Sequence, residues 1–373
     1  MSKVDAILGI NPRRISLSFS EIVAGKKIVI YGVGAGYHSF NQFVLSRYGI
    51  EPITFIDETP KVNSRGMIFT AREFVALNSS KSFEEFVILV TIGNRQIFNE
   101  IKNKLISFGL KNIFSTLDIY EYNLCYASKD VQKDLKSILK KKSSEINAAY
   151  ERLSDDRSKE IFLRILSGHW NEEPIRSIDF SPDDQYVVDG LGLSESNISL
   201  LDCGAYDGDT LIQFCNKYGT LRSVVALECD MKNFKKLAMK QFPQIESLIV
   251  LPLGSADKTD QLFFQDDNKM QSRFSAESIG SSLVGVINCD EVFRGIEFTK
   301  VVIDTEGYEI PSINGMNLII KNQSPDLAIA AYHYPTDFFE ILNRIDSINP
   351  NYNFYLRNHS PFVAETVLYA VKK

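Results

Sequence analysis

Twice along this chain a short apolar run ends in a glycine loop and gives way to residues spaced as on a helix. The first instance is KKIVIYGVGAGYHSFNQFVLSRYG, from Lys26, and the second is ISLLDCGAYDGDT, from Ile198. A continuous β-branched run that turns into helical spacing is a strand, a loop and a helix. Further strand candidates follow each: PITFIDE and FVILVTIGN after the first, then VVALEC, LIVLPL, KVVID and LAIAAYH after the second. Strands alternating with helices predict a mostly parallel sheet, so the fold class is α/β, in two copies. The last two candidates, YNFYLR and TVLYAV, have no helix between them and predict an antiparallel C-terminal hairpin on the second sheet. A chain of 373 residues suits two domains. The expected division is an α/β domain over 1–123, a helical linker and covering segment over 124–197, and a second α/β domain over 198–373.

Composition narrows the function. The formal net charge is −6, which leaves no basic field for a phosphate backbone, so nucleic acid is not an expected partner. The longest apolar run, Phe86 to Ile92, is too short for a transmembrane segment. The first residues lack the apolar core and cleavage site of a secretory signal. The five cysteines, Cys125, Cys203, Cys215, Cys229 and Cys289, are scattered and never form CxxC. They read as free thiols of a reducing compartment, which makes the expected location cytoplasmic. The stretch Lys129 to Arg152 reads as charged helix, with Lys140, Lys141 and Lys142 on a solvated face.

The two glycine loops differ in chemistry. In Gly32-Val33-Gly34-Ala35-Gly36-Tyr37 the third glycine of a dinucleotide fingerprint is replaced by Tyr37, while Asp57 closes the next strand where a ribose hydroxyl would lie. Two interpretations stay open there: nucleotide binding, or glycines that serve helix–sheet packing. The second loop, Asp202-Cys203-Gly204-Ala205-Tyr206-Asp207-Gly208-Asp209-Thr210, brings three carboxylates that would repel a diphosphate. They suit a cationic amino group or a neutral ribose. Glu228 closes the following strand, placed for both hydroxyls of a ribose, and Asp257 follows the third, near where an adenine edge would lie. An amino acid, a ribose and an adenine laid across the carboxyl ends of parallel strands describe S-adenosylmethionine. The plainer alternative is that Asp207 and Asp209 only cap the following helix.

LLDCGAYDGDT, VVALECD, VVIDTEGYEI, LAIAAYHYPTDFFEI and YNFYLRNHS…ETVLYAV, in this order, resemble the FkbM family of S-adenosylmethionine-dependent methyltransferases. The upstream pieces SDDRSKEIFLRIL and DQYVV belong to the same resemblance, which runs from about Ser154 to the C-terminus. The N-terminal region resembles the Rossmann-like domain found ahead of this family. The resemblance implies a class I methyltransferase fold over 198–373 and O-methylation of a sugar, a glycan or a nucleotide-linked sugar. It implies that Asp202, Gly204, Ala205, Tyr206, Asp207, Asp209 and Thr210 surround the methionine part of the cofactor. Glu228 would hold the ribose and Asp257 would lie near adenine, with Gln185 and Tyr186 closing over from upstream. Tyr308 stands where the family has a small residue, which would narrow the acceptor pocket. The N-terminal domain is expected to bind part of the acceptor or to pair two chains as a homo-oligomer.

Methyl transfer to a sugar hydroxyl needs a group to take the proton, because the hydroxyl is a poor nucleophile. Asp304 and Glu306 after KVVI, and His333 after LAIAAY, are the catalytic candidates. Strand alternation would point Asp304 and Glu306 to one side. Paired carboxylates raise one another's pKa, which suits a base, and could equally chelate Mg²⁺ against a sugar diol. The alternative is that they cap the helix that begins near Glu309. His359, in Arg357-Asn358-His359-Ser360, is expected to serve a turn. The competing functions are a nicotinamide-dependent sugar oxidoreductase that uses the first loop, and a scaffold without chemistry. The first region has no Tyr-x-x-x-Lys pair to support the former.

Overall fold

The computed structural model describes residues 2–14, 16–59, 68–124, 129–176, 180, 185–193, 196–265, 273–275, 282–360 and 363–373. They divide into two compact units, one of residues 11–126 and 167–176, the other of residues 1–10, 127–166 and 177–373.

The smaller unit is built on five strands, β1 (Lys27–Tyr31), β2 (Thr54–Ile56), β3 (Ile68–Phe69), β4 (Phe86–Val90) and β5 (Ile113–Ser115). Their order is β3-β2-β1-β4-β5 and every pairing is parallel. The central strands β1 and β4 are almost wholly apolar because both faces of the sheet are covered. β3 and β5 are too short to stand out in the sequence. The helix Arg95–Ser107 buries Phe98, Ile101 and Leu105, while Ile97 is exposed.

The larger unit carries a seven-stranded sheet of β6 (Ser199–Cys203), β7 (Ser223–Leu227), β8 (Leu248–Leu251), β13 (Lys300–Ile303), β14 (Asp326–Ala330), β15 (Tyr352–Asn358) and β16 (Thr366–Lys372). The order is β15-β16-β14-β13-β6-β7-β8. All pairings are parallel except those of β16, which runs antiparallel between β14 and β15. The hairpin expected from the last two strand candidates is therefore present, with its second strand inserted into the sheet. This is the strand arrangement of a class I methyltransferase fold.

The expected strand LIVLPL is two strands. It breaks at Pro252, which has no N–H to give to a ladder, and β9 (Leu253–Ser255) joins a second sheet with β10 (Asp260–Gln265), β11 (Arg273–Ser275) and β12 (Ser282–Ile287), in the order β11-β10-β12-β9. The helix Asp337–Ile348 buries Phe338, Ile341, Leu342 and Ile345 as their spacing predicts. Thr336 stands at its N-cap without a capping bond, and its hydroxyl donates to Glu340 instead. The charged stretch is two helices, Lys129–Lys141 and Ser143–Arg152, and Lys142 at the break pairs with Glu340 and is not simply solvated. Cys125 lies outside the described residues, and the other four cysteines are free thiols.

The edge strand β15 is sealed by the segment upstream of helix Asp156–Asn171. Ser154 N–H donates to the Phe354 carbonyl at 2.9 Å, and its hydroxyl accepts from Phe354 N–H at 3.0 Å. Ser158 Oγ accepts from Leu356 N–H at 2.9 Å and from Arg357 Nη1 at 2.8 Å, and Arg357 Nη2 reaches Asp155 Oδ2 at 2.5 Å. Side chains thus satisfy donors that an open edge would offer to another chain. Arg357 is buried, with its side chain 7% exposed, while that of Asp155 is 34% exposed. Removing one partner of a buried pair costs about 3–5 kcal/mol, so Asp155→Ala should cost about 3 kcal/mol given the partial exposure of the carboxylate. A urea unfolding midpoint equal to wild type would show that the pair does not hold the edge.

Candidate functional site

Parallel registry lines up the carboxyl ends of β7, β6, β13 and β14. Cys203 pairs with Leu227 on one side and Ile303 on the other, and Ile303 pairs with Ile329. The residues that follow, Gly204, Glu228 and Asp304, therefore emerge side by side. Gly204 and Ala205 N–H donate to the Leu227 carbonyl at 2.9 and 3.0 Å, and Asp304 N–H donates to the Cys203 carbonyl at 2.9 Å. Gly204 has φ +92°, and a Cβ there would lie 1.8 Å from the Asp304 carbonyl oxygen. Only glycine permits this approach.

Two carboxylates are buried in this row. Asp202 is fully buried, and among the described residues neither of its oxygens finds a hydrogen-bond donor. Burial, with the neighbouring charges of Asp209, Glu228 and Asp304, pushes its pKa well above the usual range. Glu228 accepts from Tyr206 N–H through Oε2 at 2.8 Å and from Asp230 N–H through Oε1 at 2.7 Å. Burial raises its carboxyl to about 7 against those hydrogen bonds. Each oxygen keeps a lone pair for a further donor. An orphaned buried carboxylate beside a glycine cradle, next to a second that is half satisfied, fits a ligand with an ammonium group and a vicinal diol.

The rest of the loop is more open. Tyr206 has φ +46° and is exposed, with Lys236 over its ring. Asp207 pairs with Lys240 at 3.2 Å. Asp209 opens the helix Asp209–Tyr218 and accepts from Thr210 N–H, while Ala205 and Thr210 are buried. Asp257 is exposed beyond β9, and its carbonyl accepts from the Asn288 amide. Burial and the charge of Asp257 push the Tyr308 phenol up.

The second cluster surrounds one ring. His333 is buried; its Nε2 lies 3.3 Å from Glu306 Oε2 and 3.6 Å from Asp304 Oδ1, and its Nδ1 lies 3.0 Å from Glu309 Oε1. Burial disfavours a charged ring, but Glu309 and Glu306 outweigh it and hold the imidazole well above its ordinary pKa. Asp304 is pushed to about 6 by burial and by Glu306, with the His333 charge working against them. Tyr186 donates to Asp304 Oδ2 at 2.6 Å. Tyr186, expected to close over a cofactor, is thus bonded to a catalytic candidate. The Gln185 carbonyl accepts from Tyr369 OH, which also meets His359 Nε2 at 2.8 Å.

Two expectations change here. β13 ends at Ile303, so strand alternation does not align Asp304 with Glu306. A turn does, with Glu306 at φ +53° and Gly307 at φ +92°. Nor do these two carboxylates cap the next helix. Glu309, in the first turn of helix Glu309–Asn314, accepts from Thr305 N–H at 3.0 Å and Gly307 N–H at 3.2 Å. The sequence signal for Glu309 was an acid in the first turn of a helix, which the helix dipole favours. Among the described residues, one set of side chains brings three ligand atoms within 4.8 Å of one another: Asp304, Glu309 and His333. Glu306 is not in it.

The first glycine loop is organised differently. A Cβ on Gly36 would lie 2.1 Å from the Thr91 carbonyl oxygen, so that glycine serves close packing of the loop helix on the segment after β4. Asp57 accepts from Val33 N–H at 3.2 Å and Thr59 N–H at 2.9 Å, which ties its carboxylate to the protein's own backbone.

Residues 202–356 match the family model of the methyltransferase FkbM domain. The structure is similar to that of a methyltransferase FkbM from Methylobacillus flagellatus KT, with a TM-score of 0.71 and 22% identity over 98% of this chain and 96% of that one. A fibrillarin from Aeropyrum pernix, with S-adenosyl-L-methionine natively bound, aligns over 49% of this chain and 70% of its own, with a TM-score of 0.32 and 10% identity. A spermidine synthase aligns over 47% of this chain and 53% of its own, with a TM-score of 0.27 and 14% identity. No curated protein matches the sequence.

Gly204→Ala should cost more than about 2 kcal/mol, since left-handed backbone alone costs ~1–2 kcal/mol for a residue with a Cβ. Gly34→Ala, at φ −79° with open space around it, should change stability by less than about 0.5 kcal/mol. Equal denaturation midpoints for the two variants would contradict the close approach of β6 and β13.

Proposed function

Because residues 202–356 match the family model of the methyltransferase FkbM domain, we propose that this chain is an S-adenosylmethionine-dependent O-methyltransferase acting on a hydroxyl of a sugar, a glycan or a nucleotide-linked sugar. The observation that carries this is the orphaned carboxylate of Asp202 next to the half-satisfied carboxylate of Glu228. Asp202 would take the ammonium end of the cofactor, with Gly204, Ala205, Tyr206, Asp207, Asp209 and Thr210 around it. Glu228 would accept from the ribose hydroxyls, Asp257 would lie near adenine, and Gln185 and Tyr186 would cover the site. When bound, the cofactor supplies a methyl group on a sulfonium, whose departure as a thioether needs no proton.

The protein then has two tasks. Holding the acceptor in attack geometry is worth ~7–11 kcal/mol. Removing the hydroxyl proton is worth ~10²–10⁴-fold, and Asp304 and Glu306 are the groups for it. His333, held as a cation, favours their ionised, proton-accepting forms. His333 is thus an electrostatic partner of the base and not the base itself. The smaller unit would bind part of the acceptor or pair two chains, since Gly36 and Asp57 are engaged within the protein. A cytoplasmic location belongs to the same proposal. Among the described residues, no helix is long and apolar enough to cross a membrane.

Calorimetry with S-adenosylhomocysteine tests the cofactor site. Glu228 titrates near 7, and only its ionised form accepts from two hydroxyls, so affinity should rise from pH 6 to pH 8 and then level off. Glu228→Gln should bind at least about tenfold more weakly, with a flat pH profile, the loss of a charged hydrogen-bond acceptor. A wild-type profile that is flat over this range would remove Glu228 from the site. Transfer of labelled methyl to a panel of sugars, glycan fragments and nucleotide-sugars then identifies the acceptor. The panel is run with and without EDTA. An unchanged rate is expected, and a rate that collapses and returns with Mg²⁺ would shift proton removal to a metal-bound hydroxyl.

A further inference from the structure

We propose that Glu309 is the positioning residue of this reaction, joining His333 and the turn Thr305–Gly307 into one rigid unit that presents Asp304 and Glu306 to the acceptor. This rests on the methyltransferase function proposed above. Among the described residues, the Glu309 carboxylate meets the turn Thr305–Gly307 and the His333 ring, and it acts through these neighbours.

The contacts converge on one atom. Glu309 Oε1 accepts from Thr305 N–H at 3.0 Å, Thr305 Oγ1 at 3.2 Å and Gly307 N–H at 3.2 Å, and it lies 3.0 Å from His333 Nδ1. Glu309 is 1% exposed. A carboxylate so buried is costly unless donors surround it, and here they come from two separate elements. One is the turn after β13, in which Glu306 holds a left-handed conformation that costs a residue with a Cβ ~1–2 kcal/mol. The other is the segment after β14, which carries His333. The same oxygen therefore holds the strained backbone that aims Glu306 and the nitrogen that orients the ring. With Nδ1 facing Glu309 Oε1 at 3.0 Å, Nε2 lies on the side of Glu306 and Asp304. This is the logic of a general acid–base pair oriented by a third, buried group.

A helix cap alone would need only the backbone donors. The ring contact is additional, and the surroundings make the charge of Glu309 matter. The groups that face His333 are Glu306 and Asp304 at Nε2, Glu309 at Nδ1, the ring of Tyr332 at 4.3 Å, and the buried carboxyl of Asp337 from the helix that follows. Tyr186 completes the set through Asp304. Asp337 Oδ2 accepts from Tyr334 N–H at 2.6 Å, which ties that carboxyl to its own turn, and burial and Glu309 push its pKa well up.

The test compares Glu309→Gln with Glu309→Asp in the full chain. Glutamine keeps an oxygen for the turn and loses the charge, and aspartate keeps the charge. Glu309→Gln should leave S-adenosylhomocysteine affinity within about twofold and lower kcat by about 10²-fold, within the range that a positioned proton-transfer group contributes. Glu309→Asp should recover at least part of that loss. Nitrogen-15 spectra of histidine-labelled protein at pH 7, assigned with His333→Asn, should show a hydrogen-bonded Nδ1–H on His333 in the wild type and its loss in Glu309→Gln. A folded Glu309→Gln with wild-type kcat overturns the proposal, and so does a wild-type His333 whose Nδ1 carries no proton. The spectrum needs no turnover, so it decides the point even where Glu309→Gln does not fold. Failure of wild-type protein to bind S-adenosylhomocysteine would instead remove the methyltransferase function and leave the Glu309–His333 contact standing.

Discussion

The site depends on a single buried imidazole among like charges. Asp304, Glu306 and Glu309 all approach His333, and without a cation between them they could not all remain ionised. Two unit charges 4 Å apart in a partly buried setting interact by about 4 kcal/mol, enough to move a carboxyl out of its usual range. The charge on the ring keeps Glu309 below its ordinary pKa against burial, and it restrains the rise of Asp304. Among the described residues Asp202 has no such partner, and burial together with the charges of Asp209, Glu228 and Asp304 pushes its pKa well up.

Strand order is what assembles these groups. Loops that follow β6, β7, β13 and β14 lie far apart in the chain and become neighbours because those strands are adjacent and in parallel register. The register is tight at one point, where Gly204 passes the Asp304 carbonyl with no room for a side chain. That contact joins the half of the site that fits a nucleoside to the half that would handle the proton. At the other end of the sheet, β16 runs antiparallel and ends the parallel ladder, and β15 beyond it is sealed by Ser154, Asp155 and Ser158. The upstream segment belongs to the larger unit for this reason.

Much of this was legible in the residues. Both parallel sheets, the loop at Asp202, Glu228 at the next strand end and the final hairpin follow from apolar runs, glycines and acids at strand ends. Those signals are local: a strand buried on both faces must be apolar, and a turn with positive φ favours glycine. Short elements were not legible. β3 and β5 have too few residues to carry a pattern, and the small sheet of β9 to β12 was hidden because Pro252 divides one apolar run between two sheets. The alignment of Asp304 with Glu306 was anticipated for the wrong reason, since a left-handed turn does what strand alternation was expected to do. Glu309 went unrecognised because its role is visible only from the ring it touches.

The sequence by itself determined the class of fold, the order of its elements and the chemical types of residue at the strand ends, because periodicity and turn chemistry act over a few residues. Only the tertiary structure decided which carboxylate is orphaned, which is half satisfied and which is held by a cation. Protonation and hydrogen bonding depend on distances of 3–4 Å between groups that the chain keeps far apart, and packing alone sets those distances.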